Sequence, residues 1–206
     1  MTTRTSRPAA APVAGLLLAA GEGSRLGRPK ALVELAGERL ADRGARLLRE
    51  GGCDPVHVVT GAAEVDVAGA DAVVHNPSWA SGMGSSLRVG LDALPDAVDA
   101  VVVALADQPL VTSAAVGRLV ATYRDGARAA VATYAGNLRN PVLLGREHWP
   151  SVHALAEGDV GARPFLRAYS HLVTTVACDD IASPDDIDTP EDLARLRTRL
   201  GADPDR

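Results

Sequence analysis

An apolar run that breaks into a cationic glycine loop constrains this chain more than any other feature: Leu16-Leu17-Leu18-Ala19-Ala20-Gly21-Glu22-Gly23-Ser24-Arg25-Leu26-Gly27-Arg28-Pro29-Lys30. The run reads as a buried strand over Val13–Ala20, apolar on both faces as a parallel sheet requires. Gly21, Gly23 and Gly27 free the following backbone to take positive φ and let a ligand approach without Cβ interference. Successive free N–H groups in such a loop form an anion-binding concavity, to which Arg25 and Lys30 add full positive charge. A polyphosphate is the guest this chemistry suits. Two better-known phosphate loops do not fit. The Walker pattern fails because Gly27 is followed by Arg28-Pro29-Lys30. The dinucleotide fingerprint wants a small residue where Leu26 stands. It also wants an acid at the end of the second strand, about 20 residues on, and the nearest candidate, Asp42, falls in a predicted helix.

Beyond the loop, strands and helices alternate. Helical spacing covers Glu38–Glu50, Gly82–Leu94, Ser113–Tyr123, Glu147–Glu157, Gly161–Tyr169 and Pro190–Leu200. Strands are expected at Val56–Thr60, Ala72–His75, Val98–Leu105, Ala129–Thr133, Pro141–Leu144 and Leu172–Cys178, with the most apolar, Val98–Leu105, in the centre. This alternation predicts a single α/β domain over residues 13–200: a doubly wound, mostly parallel sheet with helices on both faces. Residues 1–12 read as a disordered tail and 201–206 as a frayed end. Arg4 and Arg7 before the apolar Ala9–Ala20 imitate a secretory signal. The run is short, however, interrupted by Pro8, Pro12 and Gly15, and its end is the strand that holds the loop.

Composition narrows the partners. A net charge of −5 argues against a nucleic-acid surface, and 3% aromatic residues against base-stacking platforms. A nucleotide needs only a local positive site. Cys53 and Cys178 have no metal-ligand spacing and no disulfide framework, which fits a reducing cytoplasm. No stretch approaches the ~20 apolar residues of a membrane span.

In such sheets ligands bind beyond the carboxyl ends of the strands. Asp107 directly follows the central strand in Ala106-Asp-Gln-Pro-Leu110, and a carboxylate there either holds Mg²⁺ or caps a turn. Asp186 and Asp188 alternate just before Thr189-Pro190-Glu191-Asp192, an ordinary helix start. Gly82-Met-Gly-Ser-Ser86 sets small residues at a helix start, where free N–H groups and two hydroxyls are expected to face outward. Asn76 before Pro77 also reads as a turn former.

The loop Leu18–Lys30, with Asn76–Leu87, Ala106–Leu110, Asn140-Pro-Val-Leu143, Gly158-Asp-Val-Gly-Ala-Arg163 and Asp186–Leu193, resembles the molybdenum cofactor cytidylyltransferase-like (molybdopterin nucleotidyltransferase) group within the small nucleotidyltransferases. The resemblance runs from about Val13 to Leu200. It implies transfer of a nucleoside monophosphate from an NTP, CTP favoured, to a phosphorylated acceptor such as molybdopterin, with release of pyrophosphate. Arg25 and Lys30 would be the catalytic cations. Nucleotide contacts would come from Leu18, Ala19, Ala20, Gly21, Gly23, Ser24, Arg25, Lys30, Asn76, Gly82, Met83, Gly84, Ser85 and Ser86, with Ser85 and Ser86 on the base and ribose. Mg²⁺, or Mn²⁺, would sit on Asp107 with Asp188 or Asp186. Arg139, Asn140 and Arg163 would meet the acceptor, although Arg139-Asn140-Pro141 stands where relatives often carry Gly-His-Pro. A molybdoenzyme or its chaperone would receive the product. A sibling transferase using GTP, a sugar phosphate or a phospho-acid is the alternative, as is a non-catalytic nucleotide-binding insertion factor. Neither nucleic acid nor membrane is an expected partner.

Overall fold

The computed structural model describes residues 12–200. The tail expected over 1–12 lies outside them except for Pro12, whose carbonyl accepts from the Asp99 N–H at 3.2 Å. The frayed end expected at 201–206 also lies outside them.

In chain order the elements are β1 (Val13–Leu18), β2 (Glu34–Leu35), β3 (Glu38–Arg39), α1 (Leu40–Glu50), β4 (Val56–Thr60), β5 (Ala72–His75), α2 (Met83–Asp92), β6 (Ala100–Leu105), α3 (Ser113–Arg124), β7 (Ala129–Tyr134), β8 (Asn137–Gly145), α4 (Trp149–Leu155), α5 (Arg163–Ala168), β9 (Val173–Ala177) and α6 (Pro190–Arg199). Seven strands form one sheet in the order β5-β4-β1-β6-β8-β7-β9, with β6 in the middle. All pairings are parallel except the two made by β8.

The two-residue period of the strands divides the core. Leu17, Val58 and Val102 point to one face, where they meet Leu48 of α1, Leu119 of α3 and Leu196 of α6. Leu16, Leu18, Val101 and Val103 point to the other, against Leu87 of α2, Val152 of α4 and Phe165 of α5. Helices therefore cover both faces, as expected of strands that are apolar throughout.

The antiparallel β8 has a local cause. Ala135 and Gly136 join it to β7 with φ of 47° and 76°, the positive pair of a type I′ hairpin turn, and a two-residue link cannot make a parallel crossover. The β7–β8 register shifts after Val131, which leaves Asn140 and Pro141 outside the ladder. The small β2–β3 hairpin takes the residues that began the predicted first helix, so α1 starts at Leu40 rather than Glu38. No helix among the described residues is long and apolar enough to cross a membrane.

Candidate active site

The glycine loop leaves β1 at the carboxyl edge of the sheet, between β4 and β6. It is pinned across its mouth by the Lys30 N–H, which donates to the Gly21 carbonyl at 3.1 Å. Gly23 adopts φ 61°, and a Cβ there would collide with the Arg28 carbonyl. Among the described residues the N–H groups of Gly21 through Arg25 have no backbone acceptor, so they are open to an anion.

A cavity of about 390 Å³ opens under this loop. Leu18, Ala19, Ala20, Gly21, Gly23, Ser24, Arg25 and Lys30 line it on one side, Gly82, Met83 and Ser86 on another, and Asp107 and Asp188 on the floor. The Lys30 ammonium stands 2.6 Å from Asp107 Oδ2 and 2.6 Å from Asp188 Oδ1. Arg25 reaches the remaining Asp188 oxygen at 3.1 Å. Burial works against the Lys30 charge, but the two carboxylates outweigh it and hold the ammonium above the ordinary lysine range. The hydrogen bond from Lys30 in turn holds Asp188 below the usual carboxylate range.

Asp107 Oδ1 is buried with no hydrogen-bond partner. A buried carboxylate oxygen left bare is costly unless something cationic meets it. Together with Asp188 it makes an oxygen donor pair beside a phosphate loop, a set that suits a hard divalent cation retaining most of its waters. No group of three or more His, Cys, Asp or Glu side chains among the described residues could hold a metal.

Two expectations need correction. Asp186 does not join Asp107 and Asp188: it faces a neighbouring cavity and accepts from Gln108 Nε2 at 2.7 Å, where burial pushes its carboxyl up. Nor do the hydroxyls of Ser85 and Ser86 face outward. Both serines are buried at the first turn of α2, where the fully buried Asn76 amide donates to Ser85 Oγ at 2.8 Å and Ser86 Oγ at 3.0 Å. Asn76 also accepts from the Ser78 N–H, so it staples the Asn76–Ser81 turn to the helix instead of reaching the cavity. Of this group only Ser86 also borders the cavity; Asn76, Gly84 and Ser85 support its wall.

Gly82 turns the chain into α2 with φ 108°, and a Cβ would collide with the Gly158 carbonyl. The exposed Asp159 accepts from the Met83 N–H at 3.3 Å and lines the same cavity. Gly82→Ala should therefore lower stability by about 1–3 kcal/mol, read as the urea unfolding midpoint, and should loosen nucleotide binding because the α2 start shifts. Asp159 and Trp79, which also borders the cavity, had no role in the sequence reading. Both lie inside stretches that carry the family resemblance, Gly158–Arg163 and Asn76–Leu87, without a role of their own there.

A second cavity of about 490 Å³ adjoins the first, with Met83 on both walls. Arg139, Asn140 and Arg163 line it, as do Gln108 and Asp186.

Residues 15–173 match the family described as the MobA-like NTP transferase domain. The chain belongs to that family. A nicotine blue oxidoreductase of Paenarthrobacter nicotinovorans is 41% identical over 198 residues, 89% of this chain and 96% of the relative. A protein named probable molybdenum cofactor guanylyltransferase, from Opitutus terrae, is 52% identical over 50 residues, 24% of this chain and 25% of its own. The structure of Rv0371c of Mycobacterium tuberculosis H37Rv in complex with manganese matches with a TM-score of 0.73 and 26% identity, covering 90% of this chain and 97% of that one. The MobA-like domain thus has the fold of nucleotidyltransferases.

Proposed function

We propose that this MobA-like protein transfers a nucleoside monophosphate from an NTP, CTP in the favoured reading, to the phosphate of an acceptor such as molybdopterin, releasing pyrophosphate. The observation that carries this is the Lys30 ammonium bridging Asp107 and Asp188 beneath a loop of unpaired N–H groups, at the wall of a second cavity. A phosphate oxygen of the acceptor attacks the α-phosphorus, forming one P–O bond as the bond to the β-phosphate oxygen breaks. That oxygen is already ionised at neutral pH, so no side chain need act as base. The work left to the protein is positioning and charge neutralisation. The loop N–H groups cradle the β- and γ-phosphates, Arg25 at the exposed rim neutralises them, and Lys30 is placed to meet the charge developing on the leaving group. Asp107 and Asp188 would hold the divalent ion, Mg²⁺ or the Mn²⁺ reported for Rv0371c. When bound, the ion supplies charge neutralisation across the reacting phosphates. The acceptor would lie along Arg139, Asn140 and Arg163, in a reducing cytoplasm, with a molybdoenzyme or its chaperone downstream.

Pyrophosphate release with each of the four common NTPs, Mg²⁺ or Mn²⁺, and molybdopterin or a sugar phosphate tests this. CTP with molybdopterin should give the largest rate. No release from any pairing would exclude transfer.

The 41% identity to a relative named an oxidoreductase supports a second reading. In it the two adjoining cavities take a redox cofactor and a small-molecule substrate in place of an NTP and a phosphorylated acceptor. Oxidation or reduction of a substrate without pyrophosphate release would favour it.

A further inference from the structure

The cavity under the phosphate loop is acidic on balance. Glu22, Asp107, Asp159 and Asp188 line it against only two cations, Arg25 and Lys30. Both cations are already engaged. Lys30 Nζ donates to Asp107 Oδ2 and to Asp188 Oδ1, each at 2.6 Å, and Arg25 donates to Asp188 Oδ2 at 3.1 Å. These four charges cancel, and neither Glu22 nor Asp159 has an ion-pair partner among the described residues. A polyphosphate entering this lining meets carboxylates and no uncommitted positive side chain, so the loop N–H groups alone would have to hold it.

The two cations are not held equally. Lys30 and Asp107 are 18% and 20% exposed, so water screens their pair little, whereas Arg25 is 68% exposed and its pair is weak. Lys30 is also the only lysine among the 21 lysines and arginines of the chain. Its ammonium is a compact point charge that fits between two carboxylates. Two of its three donors are engaged there, and the two negative charges outweigh the single positive charge it could show to a phosphate.

We propose that Asp107 and Asp188 form an autoinhibitory lock on the phosphate loop: by holding Lys30 between them they keep the cavity from binding a polyphosphate until a divalent ion meets the two carboxylates. This rests on the reading of this cavity as the nucleotide site. It adds a second role for the same pair, which withholds the lysine when no ion is available. The consequence runs against the usual effect of removing metal ligands. Neutralising both carboxylates should strengthen anion binding in a metal chelator.

Calorimetric titration of the full chain with inorganic pyrophosphate in excess EDTA tests this. Asp107→Asn/Asp188→Asn should bind pyrophosphate at least ~10-fold more tightly than the wild type, the scale of one charge-assisted hydrogen bond set free. Adding Lys30→Ala to that pair should return the affinity to within roughly threefold of wild type, because the gain belongs to the released ammonium. Glu22→Gln/Asp159→Asn removes as many negative charges from the same cavity without touching Lys30, and should gain no more than roughly threefold. An equal gain there, or none in Asp107→Asn/Asp188→Asn, would overturn the lock. One readout needs no variant. Lysine-selective ¹⁵N labelling gives a single side-chain signal, since Lys30 is the only lysine. In the wild type that signal should stay in place when pyrophosphate is added in EDTA and move when pyrophosphate is added with Mg²⁺. Movement with pyrophosphate alone would overturn the lock and leave the phosphate site standing. Pyrophosphate that fails to bind the wild type even with Mg²⁺ would remove the phosphate site itself, and the lock with it.

Discussion

Lys30→Ala is expected to lower turnover by ~10²-fold or more, the scale of losing one preorganised charge donor, while tightening Mn²⁺ binding. The opposite signs follow from one position. The ammonium sits 2.6 Å from a carboxylate oxygen of both Asp107 and Asp188, the same two groups assigned to the divalent ion. With the lysine gone, Asp107 has no cation beside it and Asp188 keeps only the exposed Arg25, so an added ion gains from meeting them. Chemistry loses, because the lysine is the more buried of the two cations lining the loop cavity, with its side chain only 18% exposed. Arg25 cannot replace it: its side chain is 68% exposed, so its charge is screened. Lys30→Arg should recover little, since a bulky planar guanidinium does not fit the compact position the ammonium holds between the two carboxylates. Steady-state pyrophosphate release and manganese titration are the two readouts. Unchanged turnover in Lys30→Ala would remove the lysine from the mechanism.

The loop and the sheet were legible because both are local. Apolar runs such as Val56–Thr60 and Ala72–His75 were bounded by turn residues, and their strands have the expected ends. The glycine loop announced itself through spacing and charge within fifteen residues. The errors arose where a distant segment decides what a residue faces. Ser85 and Ser86 are ordinary hydroxyls at a helix start, and the Asn76 amide folding back onto both of them holds them inward. Ile187 is fully buried in the core, so Asp186 and Asp188 both point away from it, as alternation in an extended segment predicts. What alternation cannot reveal is that the wall between two cavities runs between them. Gln108 sets that boundary by holding Asp186 on the far side. Gln108 lies in the Ala106–Leu110 stretch, where nothing local shows that its carbonyl is buried and without a partner. The orientation of β8 was recoverable from the Ala135-Gly136 pair, a two-residue link too short for anything but a hairpin.

Asp107→Asn should abolish measurable Mn²⁺ binding at micromolar metal and lower turnover by roughly 10³-fold, about 4 kcal/mol of transition-state charge stabilisation. The substitution preserves size and the turn after β6, so the effect isolates charge. Of the two carboxylates on the cavity floor Asp107 should matter more. Its side chain is 20% exposed against 37% for Asp188, and its Oδ1 has no competing donor, whereas Asp188 is already shared between Lys30 and Arg25. Asp107 Oδ1 has no standing partner to give up, whereas an ion meeting Asp188 must take an oxygen from a standing ion pair. Asp188→Asn should accordingly weaken the metal without eliminating it, and Asp186→Asn should leave manganese affinity as in the wild type, since that carboxylate lies across the wall. The melting temperature of Asp107→Asn should stay near wild type because Lys30 keeps its bond to Asp188. Manganese affinity ranked Asp186→Asn above Asp188→Asn above Asp107→Asn is the expected series. Equal affinity in all three would mean that the ion is held elsewhere, and the nucleotide cavity would then lack the charge that transfer to an α-phosphate demands.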